Sequence, residues 1–374
     1  MPGTPRARQI AAGSRDPIPH SRPALGDEEI AAVAAVVASG HLAQGPRVAE
    51  LEAALARFLH LGAAGREGDH AVALSSGTAA LYAALRALDV GAGSEVLIPA
   101  YTCASLHQAV HLAGATPRFV DCDPATLNPD PEDARRKLGH ATDAIIVPHL
   151  FGLPADIDAF VELGPPVIED CAQTLGVELG RRAVGSFGQL TVCSFYATKL
   201  LAAGEGGMVL SADRGLAAKV AELRDCEDRR GNPEAFNFKM SDLHAAVGVI
   251  QLRRLEAFLS RRRQLAHRYR DALAGVDLGL PAQPDDRGHA WFRFVVRLDG
   301  QDLDALLQRC ARHGLVAARP VGRLVAAVEA SLDELPGCRQ AWASACSVPL
   351  YPALTDDEAG RVVEGFVAAL GDGR

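Results

Sequence analysis

One lysine in this sequence lies where it could act as a nucleophile. The 374-residue chain has 38 Lys and Arg residues, and only four of them are Lys, at positions 137, 199, 219 and 239. Lys199 follows the apolar, strand-like segment Leu190–Phe195 and precedes a glycine-rich turn, Gly204–Gly207. A partly buried lysine at a strand end can attack a carbonyl carbon and form a Schiff base, which an arginine cannot do. Taken alone, the motif also fits a surface lysine in a loop.

Three further motifs have polar residues at the junctions between predicted strands and helices. Ser75–Ala79 joins an apolar run to a helix, and its hydroxyls, its glycine and the helix N-terminus could bind a phosphate. Asp170 closes an apolar strand, where an acid is a poor core residue and needs a partner. An ordinary helix cap is the alternative for both motifs. The fourth motif, Asn237–Ser241, precedes a long helix that Ser241 could cap.

The segments around these motifs alternate between strand-like and helix-like patterns from about residue 70. The predicted strands are Ala71–Ser75, Glu95–Pro99, Pro117–Asp121, Asp143–Pro148, Pro166–Asp170, Leu190–Phe195 and Gly207–Ser211. The predicted helices are Ala79–Leu88, Tyr101–Ala113, Pro131–Leu138 and Asp156–Leu163. Strands that are apolar on both faces and alternate with helices indicate an α/β fold with a mainly parallel sheet sandwiched by helices. Such a sheet binds ligands at the carboxyl ends of its strands.

The pattern changes after Ser241 and predicts a smaller α+β lobe. One long helix is predicted over Asp242–Ala274 from its apolar spacing. A strand over Trp291–Leu298 and helices over Gln301–His313 and Thr355–Leu370 follow it. We therefore predict a flexible N-terminal tail over residues 1–24, a large domain over 25–250 and a small C-terminal domain over 251–374.

Composition argues against several classes of protein. The net charge of −8 disfavours a nucleic-acid-binding protein, which needs a basic face. No apolar run approaches the roughly 20 residues of a membrane span, and the N-terminus lacks the apolar stretch of a signal peptide. The eight cysteines are scattered without CxxC spacing, which favours reduced thiols over disulfides or a zinc site. We expect a cytoplasmic protein without a nucleic-acid or membrane partner.

One histidine pair has the spacing of metal ligands. His107 and His111 lie at i, i+4 on a predicted helix. No glutamate stands between them and no third ligand is evident, so a packing role is favoured and no metal is predicted.

Taken together, the four motifs indicate a cofactor site. A phosphate-binding turn, a carboxylate, a lysine at a strand end and a two-lobed α/β chain are the parts needed to hold pyridoxal 5'-phosphate (PLP). The lysine binds the cofactor covalently, and the carboxylate keeps the pyridine nitrogen protonated so that the ring can withdraw electrons.

The order of seven motifs resembles the DegT/DnrJ/EryC1/StrS family of PLP-dependent sugar aminotransferases. The motifs are SGTAAL (76–81), PAYT (99–102), VPHLFG (147–152), IEDCAQ (168–173), SFYATK (194–199), GEGG (204–207) and NFKMS (237–241). The similarity extends from about residue 30 to 255 and continues more weakly into the C-terminal lobe, where Ser347–Pro352 resembles the family's late proline-rich strand. The resemblance implies a fold type I PLP-transferase and a homodimer with both active sites at the subunit interface.

The resemblance also implies roles for individual residues. Lys199 would form the Schiff base with PLP and move protons, Asp170 would bind the pyridine nitrogen, and Gln173 would lie near the ring and its phenolic oxygen. The phosphate would be held by Ser76, Gly77, Thr78 and Ser194. Asn237 would reach the phosphate of the cofactor bound in the other subunit. Family members that are dehydratases carry histidine at the Schiff-base position, so Lys199 favours transamination.

Departures from the family pattern bear on the substrate. Cys103 stands where the family usually has an aromatic residue that stacks on the cofactor ring, so either Tyr101 or another side chain takes that role or the stacking is weak. Lys239 stands where the family usually has Arg, and residues 318–323 replace a histidine-containing segment near the substrate. Substrate contacts are assigned to His149, Tyr101 and Arg319.

The resemblance implies a specific reaction. An amino group would move from glutamate or glutamine to the keto group of a nucleotide-linked keto-deoxysugar. A keto-cyclitol or another polyhydroxy ketone is the alternative acceptor, and a non-catalytic regulatory protein of the same fold is the alternative class. The presence of both Lys199 and Asp170 favours the enzyme.

Overall fold

The computed structural model describes residues 16–59, 70–227, 232, 234–329 and 331–373. The α-helices in these residues are α1 (Asp27–Ser39), α2 (Pro46–Leu59), α3 (Gly77–Ala87), α4 (Ala104–Leu112), α5 (Pro131–Lys137), α6 (Ile157–Val161), α7 (Arg214–Arg224), α8 (Asp242–Leu273), α9 (Leu303–Arg312), α10 (Ala326–Glu329), α11 (Pro336–Ser344) and α12 (Asp356–Gly371). The strands are β1 (His70–Leu74), β2 (Glu95–Pro99), β3 (Thr116–Val120), β4 (Thr142–Pro148), β5 (Val167–Asp170), β6 (Glu178–Leu179), β7 (Arg182–Ala183), β8 (Leu190–Ser194), β9 (Gly207–Ser211), β10 (Phe294–Arg297) and β11 (Ala345–Val348). Among the described residues, every helix is too short or too polar to span a bilayer.

Seven strands form one large sheet in the order β1-β9-β8-β5-β4-β2-β3. Strands β3, β2, β4, β5 and β8 are parallel to one another, and β9 runs antiparallel to both β8 and β1. The predicted α/β fold with a mainly parallel sheet is confirmed. Because β1 and β8 are both antiparallel to β9, the carboxyl ends of β1, β5 and β8 lie at the same edge of the sheet.

Both faces of this sheet are buried, which explains why its strands are continuous apolar runs. Along β9, Val209 packs in one hydrophobic cluster with residues of α3, α4 and α7. Its neighbours Met208 and Leu210 pack in a second cluster with residues of α2 and α8. Successive side chains of a strand point to opposite faces, so two layers of helices cover the two sides.

The bounds of the predicted elements agree closely with the structure within the sheet. Strands β2 and β9 have the predicted bounds, and the ends of the other five predicted strands differ by at most one residue. The helix predicted from Tyr101 begins instead at Ala104, because Cys103 has extended backbone (φ −71°, ψ 154°) and forms its N-cap. Helices α1 and α2 were not predicted.

The C-terminal part is built on α8, a single helix of 32 residues, as predicted. Strands β10 and β11 pair antiparallel and share a hydrophobic core with α8, α9 and α12. The strand predicted from Trp291 begins only at Phe294, because Trp291 has a φ of 49° in the left-handed region. Strand β11 overlaps only the first two residues of the late strand inferred over Ser347–Pro352.

The first described residues pack against the C-terminal part. Ile18 is buried, its N–H donates to Gly314 O (2.9 Å), and its carbonyl accepts from Val316 N (2.9 Å). Arg22 forms an ion pair with Glu358 at 3.0 Å. Of the tail predicted over residues 1–24, positions 1–15 lie outside the described residues, and the part around Ile18 is held in place. The predicted domain boundary after residue 250 falls inside α8 and stays a prediction.

Candidate active site

A cavity of about 230 Å³ opens at the carboxyl edge of the large sheet. It is lined by Ser76, Gly77, Thr78, Leu81, Cys103, Ser105, Asp170, Ala172, Val192, Ser194, Tyr196, Lys199 and Glu205. The strand ends, the start of α3 and the start of α4 contribute these residues. Six of the residues predicted to bind the cofactor are brought together here, namely Ser76, Gly77, Thr78, Asp170, Ser194 and Lys199.

The start of α3 forms one wall of the cavity. Ser76 is the N-cap of this helix, and its Oγ accepts a hydrogen bond from Ala79 N (3.1 Å). The first N–H groups of a helix lack acceptors within the helix and lie at the positive end of its dipole, so they attract anions. A Cβ atom at Gly77 would stand 2.8 Å from Ser194 Cβ. Glycine therefore lets the Ser194 hydroxyl lie beside the helix start, and the place fits a phosphate group.

The Asp170 carboxylate lies at the end of β5, only 6% exposed. One of its oxygens accepts a hydrogen bond from Ala172 N (2.9 Å). Burial raises the pKa of this carboxyl above its ordinary value, and the Ala172 N–H and the positive charge of Lys199 oppose that rise. A buried acid in this state is stabilised by a cationic hydrogen-bond donor, such as a protonated ring nitrogen.

Lys199 is held by a turn that folds back on the end of β8. Its own N–H donates to Tyr196 O (2.8 Å), and Ala197 N donates to Gly204 O (3.0 Å). Gly204 has a φ of 87°, a conformation that favours glycine. The Nζ atom lies 5.4 Å from the centre of the Phe292 ring. Among the described residues it has no hydrogen-bond or ion-pair partner, so the amine is available to a ligand.

Two predicted residues lie behind the cavity rather than in its lining. Gln173 Oε1 accepts a hydrogen bond from Phe151 N (2.9 Å). His149 is completely buried; its Nδ1 accepts from Ala155 N (3.0 Å) and its Nε2 lies 3.0 Å from Glu169 Oε1. Because Nδ1 is an acceptor, Nε2 carries the proton and donates to Glu169. Both ring nitrogens of His149 are therefore occupied by the protein.

The structure also leaves Tyr101, Arg319 and Asn237 outside the cavity lining. Tyr101 is buried against Phe151, with ring centres 6.3 Å apart, and burial raises the pKa of its hydroxyl. Arg319 lies over the Trp342 ring, 5.0 Å from its centre. It also donates to Asp304 (3.0 Å). Asn237 is exposed on the surface of the isolated chain.

Some residues at the cavity escaped the sequence analysis. Ser105, Tyr196 and Glu205 line it, and the sequence assigned no role to any of them. Tyr196 and Glu205 belong to the SFYATK and GEGG motifs, whereas Ser105 belongs to none of the seven motifs. Phe292 reaches Lys199 from a segment that is 93 residues further along the chain, and no local pattern signals such a contact. Cys103 does line the cavity, so a thiol occupies the position where the family pattern has an aromatic ring.

The Lys239 side chain forms ion pairs with two acidic residues. Its Nζ lies 2.6 Å from Asp225 Oδ1 and 3.5 Å from Glu227 Oε2. The neighbouring Phe238 carbonyl accepts a hydrogen bond from Ser75 N (2.7 Å). The segment therefore fixes the chain just before the Ser75–Ala79 turn, and the Lys239 side chain pairs with two acids that are not in the cavity lining.

The groups that line the cavity fit PLP. The start of α3 and Ser194 suit its phosphate, buried Asp170 suits its pyridine nitrogen, and the unpartnered amine of Lys199 suits its aldehyde. They meet at the carboxyl edge of a mainly parallel sheet, where such folds bind ligands. This combination of fold and site defines a PLP-dependent transferase of fold type I.

Comparisons with known proteins agree with this class. Residues 23–367 match the DegT/DnrJ/EryC1/StrS aminotransferase family. The aminotransferase TlmJ from Streptoalloteichus hindustanus is 33% identical, with a TM-score of 0.87 over 95% of this chain and 99% of that one. The sugar aminotransferase CalS13 from Micromonospora echinospora is 30% identical, with a TM-score of 0.83 over 94% and 99%. Spr1654 from Streptococcus pneumoniae in its PMP form is 25% identical, with a TM-score of 0.87 over 95% and 98%.

The chain belongs to the DegT/DnrJ/EryC1/StrS aminotransferase family, as its motifs indicated. The matched family and the structural relatives are aminotransferases, so the protein is a PLP-dependent aminotransferase.

Proposed function

We propose that the enzyme transfers an amino group from glutamate or glutamine to the keto group of a nucleotide-linked keto-deoxysugar. The observation that carries the catalytic part is the unpartnered Lys199 amine in one cavity with buried Asp170. The sugar substrate is supported by the family match and by the likeness to CalS13, a sugar aminotransferase.

In the proposed mechanism each residue has a distinct task. PLP, when bound, supplies the ring that withdraws electrons from the reacting carbon. The start of α3 and Ser194 hold the phosphate and so fix the position of the ring. Asp170 keeps a proton on the pyridine nitrogen, because a carboxylate buried in low dielectric favours a cationic partner. Lys199 Nζ would hold the cofactor and would carry a proton between the reacting atoms.

The acceptor is proposed to contact groups at the cavity that the cofactor does not use. Ser105, Tyr196 and Glu205 line the cavity and have no cofactor role in this scheme. They offer hydroxyl and carboxylate groups that suit the hydroxyls of a sugar. Roles for His149, Tyr101, Gln173 and Arg319 stay predictions.

The substrate proposal is tested with the protein loaded with pyridoxamine phosphate. Keto-sugars linked to nucleotides and keto-cyclitols would be added one at a time, and the return of the visible absorbance of the lysine-bound cofactor would be recorded. We expect the nucleotide-linked keto-deoxysugars to restore it fastest. A response to keto-cyclitols alone would overturn the sugar assignment and leave the aminotransferase assignment standing.

We also propose a homodimer in which Asn237 reaches the phosphate of the partner's cofactor. Asn237 is exposed and lies outside the cavity of its own chain. Next to it, Phe236 is 50% exposed and stacks on Phe238 with ring centres 5.1 Å apart. An exposed aromatic side chain beside a polar residue is typical of an interface.

Asn237→Ala chains should complement Lys199→Ala chains. In a mixed dimer one of the two sites combines an intact Lys199 with the partner's intact Asn237, so purified heterodimers should have about half of the parent activity. The measurement is transaminase activity of heterodimers separated by two affinity tags. As the control, a chain with both substitutions mixed with Lys199→Ala should restore none. Heterodimers no more active than the separate variants would exclude a shared site.

A cytoplasmic location is part of the proposal. All eight cysteines are unpaired, and two of them, Cys103 and Cys226, are exposed. Free exposed thiols are typical of a reducing compartment.

A further inference from the structure

A cluster of three side chains on the surface offers a metal site, independently of the proposed function. His107 and His111 project from one face of α4, and their Nε2 atoms are 3.0 Å apart. Glu329, at the end of α10, places Oε1 2.7 Å from His107 Nε2 and Oε2 3.5 Å from His111 Nε2. The third group that the sequence did not reveal therefore comes from a segment more than 200 residues away.

Two-centre hydrogen bonds between two neutral histidines and one carboxylate do not satisfy all of these contacts at once. A neutral histidine nitrogen carries either one proton or one lone pair. If His107 Nε2 donates its proton to Glu329, it has no lone pair for His111. If it accepts from His111, it faces the carboxylate without a proton. Lone pairs from three groups that meet at one point are instead satisfied by a cation.

The geometry is close to that of a zinc site. Zinc binds histidine nitrogen at 2.0–2.1 Å, and a tetrahedral arrangement puts two such nitrogens about 3.3 Å apart. The Nε2–Nε2 distance of 3.0 Å and the Nε2–Oε distances of 2.7 and 3.5 Å lie on either side of that value. The His107 ring packs against Phe119, with ring centres 6.1 Å and planes 10° apart, and this contact restricts its rotation.

We propose that His107, His111 and Glu329 bind one zinc ion and thereby join α4 to α10. Three protein ligands leave a fourth position for water. A cavity of about 380 Å³ lined by His111, Phe119, Lys137 and Glu329, among others, gives the ion access from solvent. Since Ser105 near the start of α4 lines the cofactor cavity, the ion would also brace one wall of the active site from outside.

Zinc binding is tested on the full-length, cofactor-loaded protein after treatment with EDTA. Zinc chloride is added back, excess is removed by gel filtration, and bound zinc is measured by mass spectrometry, with the Tm recorded in parallel. We expect one zinc per chain and a higher Tm, because a ligand that binds only the folded state stabilises it. Affinity in His111→Gln and in Glu329→Gln should fall at least about tenfold, the cost of losing even an outer-shell partner.

His267→Gln is the matched control, because His267 is an exposed helical histidine outside the cluster. It should bind zinc as the parent does. A parent protein that retains no zinc would overturn the proposal. Equal zinc retention by the parent, His111→Gln and Glu329→Gln would also overturn it, since the ion would then sit elsewhere, for example on the exposed thiol of Cys226.

Discussion

Replacement of Lys199 by Ala should abolish both the visible absorbance of the lysine-bound cofactor and the transaminase activity. Among the described residues that line the cavity, Lys199 supplies the amine. Alanine removes the covalent attachment of the cofactor, which gives this absorbance. It also removes the group that moves the proton, whose loss alone costs about 10²- to 10⁴-fold in rate. The measurements are the visible spectrum after PLP is added and the rate of a single half-reaction with glutamate.

Two further variants separate the chemistry of the amine from its charge. Lys199→Arg keeps a positive charge near Asp170 but cannot form a Schiff base, so it should lack this absorbance and the activity, as Lys199→Ala does. Lys219→Ala is the surface control, because Lys219 is an exposed partner of Asp89 at 2.7 Å. It should keep the parent spectrum and rate. If Lys199→Ala keeps the absorbance of the lysine-bound cofactor, or Lys199→Arg keeps the activity, Lys199 does not have the proposed role.

The large sheet and the position of its site were predictable because both follow from patterns within short stretches of sequence. A strand buried on both faces is a continuous apolar run, and its ends are marked by the first polar, glycine or proline residue. That is why β2 and β9 have the predicted bounds. The residues that follow such strands must meet at one edge when the strands are parallel. Asp170 and Ser194 therefore could be placed together without knowledge of any contact between them.

Contacts between distant segments were not predictable in the same way. Two such contacts are Phe292 with Lys199 and Glu329 with His107, which are far apart in sequence. The sequence around Phe292 or Glu329 has no pattern that indicates which residue it contacts. The position of His149 at a strand end suggested a ligand. The structure pairs its Nε2 with Glu169, inside the protein, and a ligand role stays a prediction. A polar side chain at a strand end can thus belong to the core or to the site. Its contacts in the folded structure distinguish the two.

Asp170→Asn should bind PLP but turn over slowly. An amide is nearly the same size as a carboxylate but carries no charge, so it does not keep the pyridine nitrogen protonated, and the ring withdraws electrons less well. We expect the rate to fall on the order of 10²-fold or more, as for the loss of an acid–base group. The rate of the half-reaction with glutamate measures it. Asp121→Asn is the control, because Asp121 is also a buried acid just beyond a strand end, but binds Gly337 N (2.8 Å).

The same substitution should change how stability depends on pH. Burial raises the pKa of Asp170 in the folded protein. A raised pKa of an acid lowers the free energy of unfolding; the penalty is absent below the unfolded pKa and complete above the folded one. Without cofactor, Asp170→Asn should therefore be more stable than the parent at neutral pH, and the difference should vanish in acid.

With bound PLP the parent should be more stable than Asp170→Asn. A protonated ring nitrogen pairs with the Asp170 carboxylate and so offsets the cost of burying its charge. The Tm of the parent should consequently rise more on addition of PLP than the Tm of Asp170→Asn, and the gap should widen as pH increases through the raised pKa of Asp170. Thermal unfolding with and without PLP across this pH range measures both effects. Equal increases in Tm for the two proteins at every pH, or an unchanged rate in Asp170→Asn, would mean that the carboxylate does not face the ring nitrogen.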